Sequence, residues 1–200
     1  MLKWICLKLY NYKWRMSNKH NYTKAISLFP IEMCKCGKQT YGNLDLKVYN
    51  KNLKLTIGNY CSIADNVTFL MGGEHDYKRI STYPFQSLIY KIKTDCSFKE
   101  NIIIEDDVWI GYDSLILSGT HIGKGSVIGA RSVVKGNIPP YSVYIGNRVV
   151  KKRFTDEIID KLMDIDFSKI CHEKNDSYRN NCQDTITNEN VDDIIKHFIS

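Results

Sequence analysis

The sequence has no apolar run long enough to cross a bilayer at its start. In its first fifteen residues, MLKWICLKLYNYKWR, lysine interrupts every apolar stretch, so the continuous core of a secretory leader is missing too. Metal-binding spacing is also absent. The five histidines, His20, His75, His121, His172 and His197, are nowhere paired as ligands would be. The seven cysteines are an odd set placed mostly singly, which argues against a disulfide framework and for a reducing compartment. Cys34 and Cys36 lie too close for a zinc knuckle and read as two small residues at the start of a coil. These absences predict a cytoplasmic protein without a bound metal.

The chain's 200 residues fit one domain or one domain with a small appendage. At 43% hydrophobic and 25% charged it can bury a sizeable core. A net charge of +6, part of it clustered at Lys151, Lys152 and Arg153, suits nucleic acid, an anionic membrane or a polyphosphate cofactor. Nucleic acid fits least, because outside the N-terminal segment the cations are not interleaved with aromatics on one element.

What the sequence does contain is a period of six. From Ile104 to Val134 every sixth residue is a β-branched aliphatic: Ile104, Ile110, Ile116, Ile122, Ile128 and Val134. Val108, Ser114, Thr120, Ser126 and Ser132 fill a second inward place, and the same phase recurs at Ile57, Ile63 and Phe69. Sandwich strands would alternate with period two and be joined by variable turns. A fixed short period predicts instead an all-β solenoid, a parallel β-helix whose repeats bury their anchors only by stacking.

Three segments interrupt or flank the repeat. Residues 1–33 mix Trp4, Leu7, Tyr10 and Trp14 with lysines, and two readings stand: a basic helix lying on a membrane surface, or a helix packed on the main domain. Apolar residues around much of the helix favour packing. Residues 34–150 form the β-helix, broken by an insertion at 71–101 that is expected to be a functional loop. Residues 151–200 form a helical extension, with one helix near 155–165, a polar surface linker, a second helix near 190–199, and the open end of the coil as their expected seat.

Within the insertion His75 follows Gly72-Gly73 and is flanked by Glu74 and Asp76. A neutral imidazole can take a proton from a hydroxyl, and a carboxylate on its other nitrogen would fix the tautomer. Glu74, Asp76 and the group Glu105 to Asp107 are the candidates for that carboxylate.

The segments LTIGNYCSIADNVTFLMGGEHDYKRISTYPF, IIIEDDVWIGYDSLILSGTHIGKGSVIGARSVV and IPPYSVYIGN resemble the hexapeptide acyltransferases, in particular the xenobiotic acetyltransferase branch. That branch includes type B chloramphenicol and streptogramin acetyltransferases and O-acetyltransferases of capsule and lipopolysaccharide clusters. NKHNYTKAISLFP is similar to the polysaccharide-associated members. The resemblance implies a left-handed β-helix, a homotrimer, and acetyl-CoA held between neighbouring subunits. It implies His75 as general base, Trp109 near the thioester, and backbone groups of Tyr112 and Ala130 on the pantetheine arm. Lys135, Arg148 and Lys151 carry the charge for the coenzyme's phosphates, although the family's usual lysine lies one place later and its Pro-Ala pair after Gly146-Asn147 is missing. Tyr41, Tyr83 and Phe85 are either walls of an acceptor pocket or ordinary packing. The acceptor so implied is a saccharide hydroxyl, with an antibiotic hydroxyl, a nucleotide-linked amino sugar or an inactive trimeric scaffold as rivals.

Overall fold

In a computed structural model, which describes residues 2–92, 100–170 and 184–199, the anchors of the repeat lie inside a coil of short parallel strands. Residues 93–99 of the insertion and 171–183 of the polar linker lie outside the described residues. The strands form three faces. On the first are β1 (Tyr22–Ala25), β3 (Tyr41–Val48), β5 (Ser62–Ile63), β8 (Trp109–Ile110), β11 (Val127–Ile128), β14 (Ser142–Ile145) and β15 (Arg148–Lys152). On the second the far half of β3 is followed by β6 (Thr68–Met71), β9 (Leu115–Leu117) and β12 (Val133–Val134). The third holds β2 (Cys34–Cys36), β4 (Leu55–Ile57), β7 (Ile102–Ile104), β10 (His121–Ile122) and β13 (Asn137–Ile138).

Strand register follows the period. Ile104 pairs with Ile122, Ile110 with Ile128 and Ile116 with Val134, each a step of three hexapeptides. All six anchors are fully buried. The second inward place is buried as well, and its hydroxyls close hydrogen bonds inside the coil: Ser114 Oγ donates to the Gly129 carbonyl at 3.1 Å, and Ser126 Oγ to that of Pro139 at 2.9 Å. Corners turn through left-handed residues, among them Tyr60, Asn66, Asp107, Asp113, Arg131 and Tyr141, whose φ lies between 52° and 62°. Such positions cost a non-glycine residue about 1 kcal/mol, which the stacked ladders on both sides outweigh. The last turn is two residues short, and the loss falls between Val134 and Ile138, ahead of Pro139-Pro140: Ile116 pairs with Val134 but Ile122 with Ile138. The core place of β14 therefore goes to Tyr144, while Val143 and Ile145, the apolar residues that suggest this strand in the sequence, face outward.

At the N-terminal end α1 (Leu2–Ser17) packs on β1, which extends the first face beyond β3. Trp14 is fully buried, donates from Nε1 to Thr23 Oγ1 at 3.0 Å and meets the Phe29 ring edge-on.

The C-terminal helices, α3 (Asp156–Met163) and α4 (Val191–Ile199), do not close the coil's open end, contrary to expectation. They lie against the corner between the third and first faces, where Lys38, Tyr60, Asp107, Lys124 and Tyr141 stand on successive turns. The reason is polar as well as apolar. The Lys124 ammonium, buried, donates to the carbonyls of Leu162, Met163 and Ile165 at 3.0, 2.8 and 2.6 Å, so a lysine of the coil caps the end of α3. Burial holds its pKa below the ordinary lysine value, against the pull of Asp106 and Asp107. The Tyr141 hydroxyl donates to the Leu162 carbonyl at 3.1 Å, and Lys38 Nζ reaches the Ile170 carbonyl at 2.8 Å.

Lys124→Met strips that helix end of its donor, and hydrogen bonds to a charged group are worth about 1.5–3 kcal/mol each. The expected loss of stability is about 2–3 kcal/mol. Thermal unfolding should record it, and limited proteolysis should show new cleavage after residue 155 while the coil stays intact.

Candidate functional site

The first face presents one straight outward row. Strand register aligns Tyr22 with Tyr41, Tyr41 with Ser62, Ser62 with Trp109, Trp109 with Val127, Val127 with Val143, and Val143 with Lys151. Tyr22, Ser62, Trp109, Val127 and Val143 each precede a buried residue, so strand alternation turns them outward; Tyr41 is exposed in register with them, and Lys151, on the exposed β15, faces the same way as its cross-strand partner Val143. Neighbouring strands lie about 4.8 Å apart, which places Trp109 about 10 Å from Tyr41 and about 14 Å from Lys151 along the row. Tyr41, Trp109 and Lys151, three residues singled out from the sequence, thus share one line.

Beside the N-terminal half of the row is an open groove of about 520 Å³. Tyr22, Tyr41 and Tyr112 contribute partly exposed rings to its walls. Its floor is bare because Gly42, at φ +123°, has no room for a side chain: a Cβ there would stand 2.1 Å from the Ile63 carbonyl oxygen. Lys24, Asn43 and Asp65 form a polar rail, with Asn43 Nδ2 donating to Asp65 Oδ1 at 2.7 Å. Asn66 Nδ2 donates to the Tyr112 phenol oxygen at 2.8 Å and steadies that ring. Ala130 lies one turn beyond Tyr112: the neighbouring Arg131 amide donates to the Tyr112 carbonyl at 2.8 Å.

His75 is elsewhere. Its loop leaves the corner between the second and third faces, where Gly73 packs beside the Tyr49 ring and Glu74 accepts from Ser118 Oγ at 2.8 Å. No described residue of the loop lines the groove. His75 itself is exposed, and its Nδ1 sits 2.6 Å from the Thr82 carbonyl oxygen. A carbonyl can only accept, so Nδ1 carries the proton and Nε2 keeps its lone pair. Within the chain the Thr82 carbonyl of the same loop orients the ring. Asp76 pairs with Arg79 at 3.2 Å, Glu105 with His121 at 2.7 Å, Asp106 with Asn59, and Asp107 with Arg153 at 3.5 Å. Burial raises the Asp107 carboxyl above its ordinary value, with Arg153 opposing the shift.

The remaining predicted residues divide the same way. Tyr83 and Phe85, the latter opening the short helix α2 (Phe85–Leu88), meet edge-to-face at 4.8 Å in the His75 loop. Lys135 lies at the corner from which that loop springs, whereas Arg148 and Lys151 are on β15, so the three cations are not gathered within one chain. Tyr22, Lys24, Asn43 and Asp65 had not been singled out. The alternation of exposed Tyr22 and Lys24 with buried Thr23 and Ala25 was the available signal for β1.

Anchored coil, outward row and histidine loop together define a hexapeptide-repeat transferase. Residues 101–136 match the bacterial transferase hexapeptide (six repeats) family. The chain is 39% identical to a probable macrolide acetyltransferase of Lysinibacillus sphaericus, over 57% of this chain and 68% of that protein. It is 38% identical to a chloramphenicol acetyltransferase of Klebsiella aerogenes, over 57% and 59%. A galactoside O-acetyltransferase of Lactococcus lactis is 30% identical over 69% of this chain and 58% of its own length. Among solved structures, a hexapeptide-repeat-containing acetyltransferase from Vibrio cholerae superposes with a TM-score of 0.54 at 26% identity, covering 71% of this chain and 78% of that one, and its acetyl-CoA complex has the same fold (0.52, 24%, 74% and 79%). The chain belongs to the hexapeptide-repeat acetyltransferases, a family of acyl-transferring enzymes.

The neutral His75 ring should be the Nδ1–H tautomer. Long-range ¹H–¹⁵N correlations of the imidazole in the labelled protein would show it directly, and a dominant Nε2–H form would contradict the Thr82 contact.

Proposed function

We propose that the protein is an acetyl-CoA-dependent O-acetyltransferase acting on a saccharide hydroxyl, and that it works as a homotrimer of left-handed coils. The observation that carries this reading is the separation just described. His75 is at one corner and the groove, near Trp109, on the face across from it, an arrangement that supports a site completed by a second copy's His75 loop. A cyclic trimer does this three times with one repeated contact.

The bound coenzyme supplies an acetyl group already activated as a thioester. The residues fit it: from Trp109 the row runs over Val127 and Val143, an apolar track, to Lys151 beside Arg148, whose charges match phosphates. His75 Nε2 takes the proton from the acceptor hydroxyl as its oxygen attacks the acetyl carbon, and the Thr82 carbonyl steadies the imidazolium that results; the thioester C–S bond then breaks, and the imidazolium returns the proton to the departing coenzyme A thiolate. Holding both substrates in one place accounts for up to about 7–11 kcal/mol of the barrier.

The acceptor class follows from the groove. Three phenol rings with a bare floor give flat stacking surfaces, while Lys24, Asn43 and Asp65 offer donors and acceptors for many hydroxyls. A hydroxyl-rich chain fits such an open cleft. Identity to a macrolide acetyltransferase supports a second reading, an antibiotic hydroxyl, which would favour a more enclosed apolar site.

His75→Ala should lower kcat by about 10²- to 10⁴-fold, with little change in acetyl-CoA binding. Thiol release from acetyl-CoA, measured with oligosaccharides, amino-sugar nucleotides, chloramphenicol, a streptogramin and a macrolide, would choose the acceptor class. Stimulation by a drug alone would replace the saccharide reading with the antibiotic one. Analytical ultracentrifugation should give a trimer, and a monomer active at assay concentration would refute the shared site. His75→Ala mixed with Trp109→Ala should recover part of the wild-type rate, since mixed trimers contain some intact pairs.

A further inference from the structure

The N-terminal helix carries two apolar faces and the fold uses one. Leu7, Tyr10, Asn11 and Trp14 fall on the side turned to the coil: Trp14 is buried, the Tyr10 hydroxyl donates to the Phe29 carbonyl, and Asn11 Oδ1 accepts from the Ala25 amide at 3.0 Å. On the opposite side Ile5, Leu9, Tyr12 and Met16 recur at i, i+4, i+7 and i+11, a stripe one residue wide. All four are exposed, Leu9 at 65% and Tyr12 at 67%. Lys8 borders the stripe on one side and Lys13 on the other, and Trp4, exposed just beyond Lys8 around the helix, has the Lys8 Nζ 3.6 Å above its ring. Packing therefore accounts for the inner face alone.

Charge identifies what covers the outer face. Up to Ile31 the chain has no acidic residue, while Lys3, Lys8, Lys13, Arg15, Lys19 and Lys24 supply six cations; Glu32 is the first acid. A second copy seated here would bring two such sets together, which repulsion opposes. No helix among the described residues is long and apolar enough to cross a membrane. We propose that the outer face of α1 docks the enzyme on an anionic phospholipid bilayer, with the stripe at the boundary of headgroups and acyl chains and the lysines on lipid phosphates. Trp4 has the amphipathic ring that settles at that depth. This docking does not depend on which acceptor the enzyme uses.

Co-sedimentation of the full-length protein with vesicles of phosphatidylcholine, with and without phosphatidylglycerol, tests it. Wild type should pellet with the anionic vesicles, far less with phosphatidylcholine alone, and less again at high salt. Leu9→Glu should weaken binding by at least about tenfold. Lys8→Glu with Lys13→Glu should weaken it about fivefold for each charge removed and flatten the salt dependence. Circular dichroism melting checks that the variants are folded; should Leu9→Glu fail to fold, the lysine pair decides. Absence of binding to anionic vesicles, or binding that neither variant changes, overturns the proposal. Self-association that Leu9→Glu abolishes, without vesicle binding, would show that the face joins copies of this chain instead.

Discussion

The coil's interior admits one apolar side chain, mostly β-branched, and one small residue per turn of each face, and every other feature depends on that narrowness. A hexapeptide cannot bury its own isoleucine, so the anchors are stable only as a stack. Stacking fixes strand register, since a slip of one residue would turn the apolar set outward. The small place matters for a second reason: serine or threonine there satisfies carbonyls that a tight corner would otherwise leave without donors. Ser114, Thr120, Ser126 and Ser132 thus serve as both filler and polar tie.

Because register is fixed from inside, outward residues are placed without any packing of their own. Tyr22, Tyr41 and Trp109 need no partner to be aligned; the backbone ladder aligns them. The proposed site divides accordingly into a rigid half on the first face and a loop half around His75, whose ring is held by a carbonyl seven residues further along the same loop. Rigid elements position a ligand, and a loop can reach across to a neighbour.

Much of this was legible. The anchors, the inward small residues and the insertion follow from one period, because burial in a one-residue-wide core leaves a direct imprint on sequence. Tyr41, Trp109 and His75 stood out on motif grounds. The row joining Tyr41 to Trp109 and Lys151 was not visible, since it is created by ladder pairing between residues far apart in the chain. The seat of α3 was also hidden: it depends on Lys124, a residue that reads as an exposed turn lysine and instead is buried against three carbonyls. For α1 the difficulty was opposite in kind, as two apolar faces cancelled each other's periodicity and concealed that both exist.

The row on the first face also works as a ruler. Its divisions are set by interstrand hydrogen bonds, so the span from the Trp109 indole to the Lys151 ammonium is a whole number of rungs, Val127 and Val143 lying between. Point substitution can change what stands on a rung but not the interval between rungs. A relative that handled a longer or shorter ligand along this line would have to gain or lose an entire turn of three hexapeptides, altering its reach in steps of about 4.8 Å. Length selectivity in such a coil changes by counting turns, whereas chemical selectivity changes one side chain at a time.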